Sequence, residues 1–380
     1  MKPVIDLERE YGLVLEGGGA RGAYQIGVWK ALREAGVKIK GVSGTSVGAL
    51  NGAMICMDEW KGAEETWENI SYSRVLSVDE KLIDGLKLLG TKPLEFSEVT
   101  AEMKRIVTGR GLDITPLKHL IAEMADETRI RSSERELYAT SFCVTDMKEV
   151  NFDVKAVPEG MIHDVLLASS YFPGFKNEKI GGKTYMDGGS INNVPLNVLT
   201  ERGYTDIIII RIFGIGVDRE KLFHIPEGVR IHRVEPRRNL GGILEFESHR
   251  ARRNMLLGYY DGMRMLYGLE GRKYYIYLPN SEAYYFDKMM SELEVLKGYL
   301  EPFVEEEQGK IFGYRAYTEQ IFPYLAKRMK LKSDWDYRDL YGAILEICAR
   351  KMNLNVFHIY NADEIMGGVQ RILGKNVIIW

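Results

Sequence analysis

Leu13-Val14-Leu15-Glu16-Gly17-Gly18-Gly19-Ala20-Arg21-Gly22 and Val42-Ser43-Gly44-Thr45-Ser46-Val47-Gly48 are two passages of one kind. In each, an apolar run that reads as a strand meets glycines, and a segment of helical periodicity follows. The second puts a glycine two places either side of a serine at a strand-to-helix turn, the nucleophile-elbow pattern. Gly44 and Gly48 let the backbone turn sharply, so Ser46 stands at the tip with its hydroxyl exposed. The first supplies backbone N–H groups with no side chain in the way, which is what an acyl-transfer site needs for an oxyanion hole. A helix opening at Val47 would aim its first N–H groups and its dipole at Ser46, favouring negative charge on the attacked oxygen.

Other readings of these glycines are less consistent. Gly17, Gly19 and Gly22 match the dinucleotide-binding spacing after a strand, but that motif wants a carboxylate about 20 residues on to hold the ribose. The second strand, around Val37 to Val42, runs into Ser43, Gly44, Thr45 and Ser46, and Glu34 lies too early, inside the helix that ends at Gly36. A phosphate loop fails too, because Ala23 and Tyr24 follow Gly22 where Lys and Ser/Thr are required.

A third passage, Lys183-Thr184-Tyr185-Met186, alternates like a short strand and ends at Asp187-Gly188-Gly189. Asp-Gly-Gly is often a plain turn whose carboxylate caps its own backbone. The six histidines (His119, His163, His224, His232, His249 and His358) are scattered, and none follows a strand-like run as a hydrolase triad histidine would. A serine hydrolase without its histidine needs another base, and an aspartate at a strand end qualifies.

The three passages, in this order, resemble the patatin-like phospholipases, lipid acyl hydrolases of plants and bacteria. The likeness runs roughly from Tyr11 to Gly214 and includes the helix Ala23–Ala35 and the Ala168-Ser169-Ser170 run with Pro173. It implies that Ser46 is the nucleophile and Asp187 the second member of a Ser–Asp dyad. Gly17, Gly18 and Gly19 become the oxyanion loop, Arg21 its basic position and Gly22 its end, with Val47 a further donor. Gly44 and Gly48 shape the elbow, and Gly188 and Gly189 the dyad turn. The expected reaction is cleavage of fatty-acyl esters of phospholipids or related lipids through an acyl-enzyme, with no cofactor and no metal. The alternatives are a catalytically silent lipid-binding scaffold, which intact Ser46 and Asp187 argue against, and a nucleotide-binding oxidoreductase, disfavoured by the missing ribose carboxylate.

Strand and helix alternate through the N-terminal part, which implies a three-layer α/β/α fold with a mainly parallel central sheet. Four consecutive isoleucines at 207–210 read as a strand buried on both faces, as such a sheet requires. The stretch from about Glu64 to Glu127 is mostly helical, holds no catalytic candidate, and suits a cap over the site. From about His249 helical periods dominate, and Asn376–Trp380 reads as a terminal strand. The expected organisation is a hydrolase domain over 1–284 and a helical accessory region over 285–380 packed on it, with Leu293, Leu296, Leu300 and Phe303 on one face.

Composition narrows the class. A net charge of −3 over 380 residues offers nothing to nucleic acid. Between Val229 and Tyr275 ten Lys/Arg stand against five Asp/Glu with tyrosines interleaved, which allows transient contact with an anionic membrane surface. Solvated charges over inward-packed tyrosines are the preferred reading. Cys56, Cys143 and Cys348 are odd in number, lack metal spacing, and read as buried thiols. The acidic N-terminus does not read as a signal peptide, and no stretch has the apolar length of a membrane span, so a cytoplasmic protein is expected. The lipid head group and the oligomeric state stay open.

Overall fold

The structure is a computed structural model that describes residues 1–77, 83–85, 96–106, 111–220, 224–293, 295–296, 315 and 317–376. The chain divides into two compact units, Lys2–Leu266 and, with Met1, Tyr267–Trp380. The division falls earlier than the boundary read at 284.

The first unit is a mixed α/β structure around one mostly parallel sheet. Its strands are β1 (Glu10–Leu15), β2 (Lys38–Thr45), β3 (Glu136–Cys143), β4 (Lys148–Asp153), β5 (Tyr185–Asp187), β6 (Asp206–Ile210) and β7 (Arg230–Val234). They lie in the order β4-β3-β2-β1-β6-β7, with β5 paired to β3. The middle strands are the most apolar: Leu13, Val14 and Leu15 of β1 and all four isoleucines of β6 have no solvent exposure. Such strands need helices on both faces. Helices α1 (Ala23–Glu34) and α2 (Val47–Cys56) follow β1 and β2, as the alternation predicts.

Two strands depart from parallel pairing. β4 and β5 both run antiparallel to β3. The link from β3 to β4 is only four residues, with Met147 at φ 50, and a link that short can only make a hairpin.

The helix Ser248–Tyr267, read from sequence as the start of the tail, packs on α1 within the first unit. A Cβ on Gly27 would lie 1.8 Å from the Met255 carbonyl oxygen, and one on Gly258 would lie 2.0 Å from that of Tyr24. Only glycine permits backbones so close.

The second unit pairs β8 (Tyr275–Tyr277) with β9 (Ile359–Asn361) and gathers helices Glu282–Ser291, Phe322–Arg328, Tyr337–Lys351 and Ala362–Asn376. Its core holds Leu293, Leu296, Leu325, Leu340, Ile344 and Ile365, all buried. Tyr274 and Tyr275 are buried here, which fits tyrosines packed inward. Leu300, Phe303 and residues 377–380 of the expected terminal strand lie outside the described residues. No helix among the described residues is long and apolar enough to cross a membrane.

Candidate active site

Ser46 sits between β2 and α2 with φ 55 and ψ −125, a backbone conformation rare for any residue with a side chain. The glycines around it are there for space. A Cβ on Gly44 would lie 2.3 Å from the Gly48 carbonyl carbon, and one on Gly48 would lie 2.3 Å from the Leu15 carbonyl oxygen. The start of α2 is thereby pressed onto the end of β1. The Ser46 N–H donates to Ser169 Oγ at 2.9 Å, and the Ser169 hydroxyl donates to the Thr140 carbonyl at 2.6 Å. These bonds tie the elbow to β3.

β3 also explains how Asp187 reaches the serine. Its first part pairs with β2 as far as Thr45 opposite Thr140, and its next residue, Ser141, pairs with Asp187 of β5. β5 therefore occupies the row that β2 has just left, running toward it, and the two strands meet end to end at Ser46 and Asp187. Gly188 makes the turn possible, since a Cβ there would lie 2.3 Å from the Thr140 carbonyl oxygen.

Ser46 and Asp187 line the same cavity, and Asp187 Oδ1 accepts the Gly189 N–H at 2.8 Å. Asp187 is 3% exposed. Burial pushes its pKa up from 3.8 to about 6, against the nearby Ser46 hydroxyl and the Gly189 N–H, which favour the charged form. None of the six histidines lines the cavity. His163, for example, spends Nε2 on the Ala125 carbonyl at 2.6 Å, and His232 packs edge-on against Tyr11.

Of the expected oxyanion residues, Gly18, Gly19 and Val47 line the cavity beside Ser46 and Asp187. Val47 is the first residue of α2. Gly19 has φ 53, and a Cβ on it would lie 2.2 Å from the Ile243 carbonyl oxygen. Three expectations are corrected. Gly17 is no donor to the cavity, because its N–H already bonds the Asn193 carbonyl at 3.1 Å. Arg21 turns away: its Nε donates to the Gly241 carbonyl at 2.8 Å and its Nη1 to the carbonyls of Ile212 and Phe213. Gly22 does not line the cavity but permits close packing, since a Cβ would lie 2.4 Å from Val47 Cγ2.

The remaining walls are apolar. Trp67, Val75, Leu117, Leu120 and Met124 come from the helices Trp60–Glu68, Tyr72–Val75 and Thr115–Met124, and Phe172, Phe175 and Phe246 add aromatic surface. The helical stretch that suited a cap thus supplies cavity wall. Among the described residues no group of side chains could hold a metal ion.

Sequence reasoning missed several supporting residues. Asn193 lines the cavity, donates through Nδ2 to the Gly17 carbonyl at 3.0 Å, and gives no local signal. Ser169 belongs to the Ala168-Ser169-Ser170 run, but nothing local marks it as the support of the elbow. Glu16 did carry a signal, a lone carboxylate between a buried strand and a glycine run, and it pairs with Arg211 in the interior.

Residues 13–200 match the family model of the patatin-like phospholipases. Neuropathy target esterase sws of Drosophila melanogaster is 27% identical over 206 residues, which is 53% of this chain but 13% of that protein. Patatin-like phospholipase domain-containing protein ZK370.4 of Caenorhabditis elegans is 29% identical over 208 residues, 54% of this chain and 14% of its own length. The chain therefore spans only a small fraction of these relatives. Among solved structures, VipD from Legionella pneumophila aligns over 97% of this chain and 86% of its own, with 12% identity and a TM-score of 0.42.

Proposed function

With residues 13–200 forming a patatin-like phospholipase domain, we propose that this chain is a serine lipid acyl hydrolase working through a Ser46–Asp187 dyad. One observation carries the reading. A serine held at φ 55 on a strand-to-helix apex and an enclosed carboxylate line one and the same apolar cavity.

Asp187 accepts the Ser46 proton as Oγ attacks the ester carbonyl. The N–H groups of Gly18, Gly19 and Val47 receive the tetrahedral oxyanion, helped by the N-terminus of α2. Asp187 returns the proton to the leaving alcohol or lysolipid. Water, deprotonated by the same carboxylate, then cleaves the acyl–Ser46 ester. An ordinary aspartate near 3.9 is a weak base for serine, and a group raised to about 6 is better matched while still ionised at neutral pH. The apolar walls suit a fatty-acyl chain, so acyl esters of phospholipids or related lipids are the proposed substrates.

A fluorophosphonate probe tests this. Purified protein should gain one covalent adduct at Ser46, and Ser46→Ala should gain none and hydrolyse no p-nitrophenyl ester. Folded protein that neither labels at Ser46 nor cleaves esters would leave a lipid-binding scaffold as the function.

A further inference from the structure

On the reading that Gly18 and Gly19 hold the oxyanion, we infer that the buried pair Glu16–Arg211 is the positioning device for that loop. Glu16 links β1 to Gly17, is 2% exposed, and does not line the cavity. Its Oε2 accepts the N–H groups of Ile212 at 2.6 Å and Phe213 at 2.9 Å and Arg211 Nε at 3.0 Å. Its Oε1 lies 3.4 Å from both Arg211 Nη2 and Asn193 Nδ2. Arg211 in turn reaches Asp218 at 2.8 Å and Glu220 at 2.6 Å, so its charge is matched on every side.

The segment these groups hold, 212–214, is the wall behind the glycine loop. A Cβ on Gly214 would lie 1.7 Å from the Gly17 carbonyl oxygen, and one on Gly18 would lie 2.8 Å from Ile212 Cδ1 and 3.1 Å from Gly214 Cα. Any shift of the segment is passed directly to Gly17 and Gly18. Phe213 has φ 49, and an aromatic residue keeps that conformation only where its surroundings over-determine it. Here they do: Glu16 grips its N–H from one side and Arg21 its carbonyl from the other. Arg21, turned away from the cavity, is the second clamp on the same segment. Oxyanion donors act only when aimed at where the charge develops, and a displacement near 1 Å is costly. A group that holds them without touching substrate should therefore govern turnover and leave binding alone.

The test compares wild type, Glu16→Gln and Glu16→Ala on p-nitrophenyl butyrate and in the rate of fluorophosphonate labelling. Gln keeps an oxygen for the two amides, while Ala keeps none. The expected losses in kcat are about 10-fold and about 100-fold, with KM within about threefold, and labelling should slow by the same factors because phosphonylation uses the same donors. Arg230→Gln is the stability control. It removes a partner of Asp206 at the far end of β6 and should keep wild-type kcat. If Glu16→Ala cannot be purified folded, Glu16→Met decides the matter, because it refills the volume, leaves Arg211 paired with Asp218 and Glu220, and offers the two amides no acceptor. A folded Glu16→Ala, or a folded Glu16→Met, with near wild-type kcat would overturn the inference. So would a change confined to KM, or an equal loss of kcat in Arg230→Gln. Wild-type protein that fails to label at Ser46 would sink the acyl-hydrolase reading itself, which is a separate result.

Discussion

If Asp187 is the proposed base, replacing it with asparagine should abolish ester hydrolysis and stabilise the protein, and the second effect should depend on pH. The carboxyl titrates near 6 in the folded chain against 3.8 as a free side chain, because it is enclosed. The folded state therefore holds this proton more tightly than the unfolded state does. As pH rises between those two values, the unfolded chain gives up its proton first, and stability falls. Above about pH 6 the loss levels off at about 3 kcal/mol, using 1.36 kcal/mol per pKa unit. Asparagine never ionises, and its Oδ1 can still accept the Gly189 N–H that Asp187 holds at 2.8 Å. The stability gap between variant and wild type should thus open by about 2–3 kcal/mol between about pH 4 and about pH 8, as read by urea denaturation. Activity should run the other way. If Asp187 is the base and titrates near 6, wild-type kcat/KM should fall at about pH 5 to about a tenth of its plateau, whereas an ordinary carboxylate would keep nearly all of it. A stability gap independent of pH, or a kcat/KM profile flat down to about pH 4.5, would refute the enclosed-base argument.

Other substitutions test the local geometry. Ser46→Gly and Ser46→Ala both remove the hydroxyl, but only glycine is at ease at φ 55, so Ser46→Gly should be the more stable by about 1 kcal/mol in urea denaturation, with both inactive. Equal stabilities would mean the elbow is unstrained. Gly19→Ala meets both a positive φ of 53 and the Ile243 carbonyl, and should lower kcat about a hundredfold or more while KM moves little. Wild-type turnover in that variant, with its fold verified by circular dichroism, would place the oxyanion elsewhere. Leu117→Trp narrows the apolar cavity, so the ratio of kcat/KM for long over short p-nitrophenyl esters should drop at least about tenfold. An unchanged ratio would show that acyl chains do not pass Leu117.

Much of the site is legible in the sequence because its requirements are local. Gly44, Gly48, Gly19 and Gly188 stand where a Cβ would strike neighbouring backbone, so chemistry that needs those turns writes itself as glycine at fixed spacing. The isoleucines of β6 announce a doubly covered strand for the same kind of reason, since burial on both faces forbids alternation. The parallel middle of the sheet followed from that pattern. The antiparallel strands β4 and β5 did not, because pairing direction depends on which strand a segment returns to.

What the tertiary structure decided is nonlocal. The motifs named Ser46 and Asp187 as a pair but not how two residues so far apart in the chain would meet, and the shared partner β3 sets their strands end to end. The enclosure that lifts Asp187 to about 6 exists only once that strand and its neighbours have closed around it. Gly17 and Arg21 look like oxyanion residues in the motif, yet Asn193 takes the amide of one and the carbonyls of 212, 213 and 241 take the guanidinium of the other. Steric demands on a turn are met by the residues of that turn and can be read from them. Hydrogen bonds and desolvation are settled by residues far along the chain, and only the folded molecule shows which donors remain free to act.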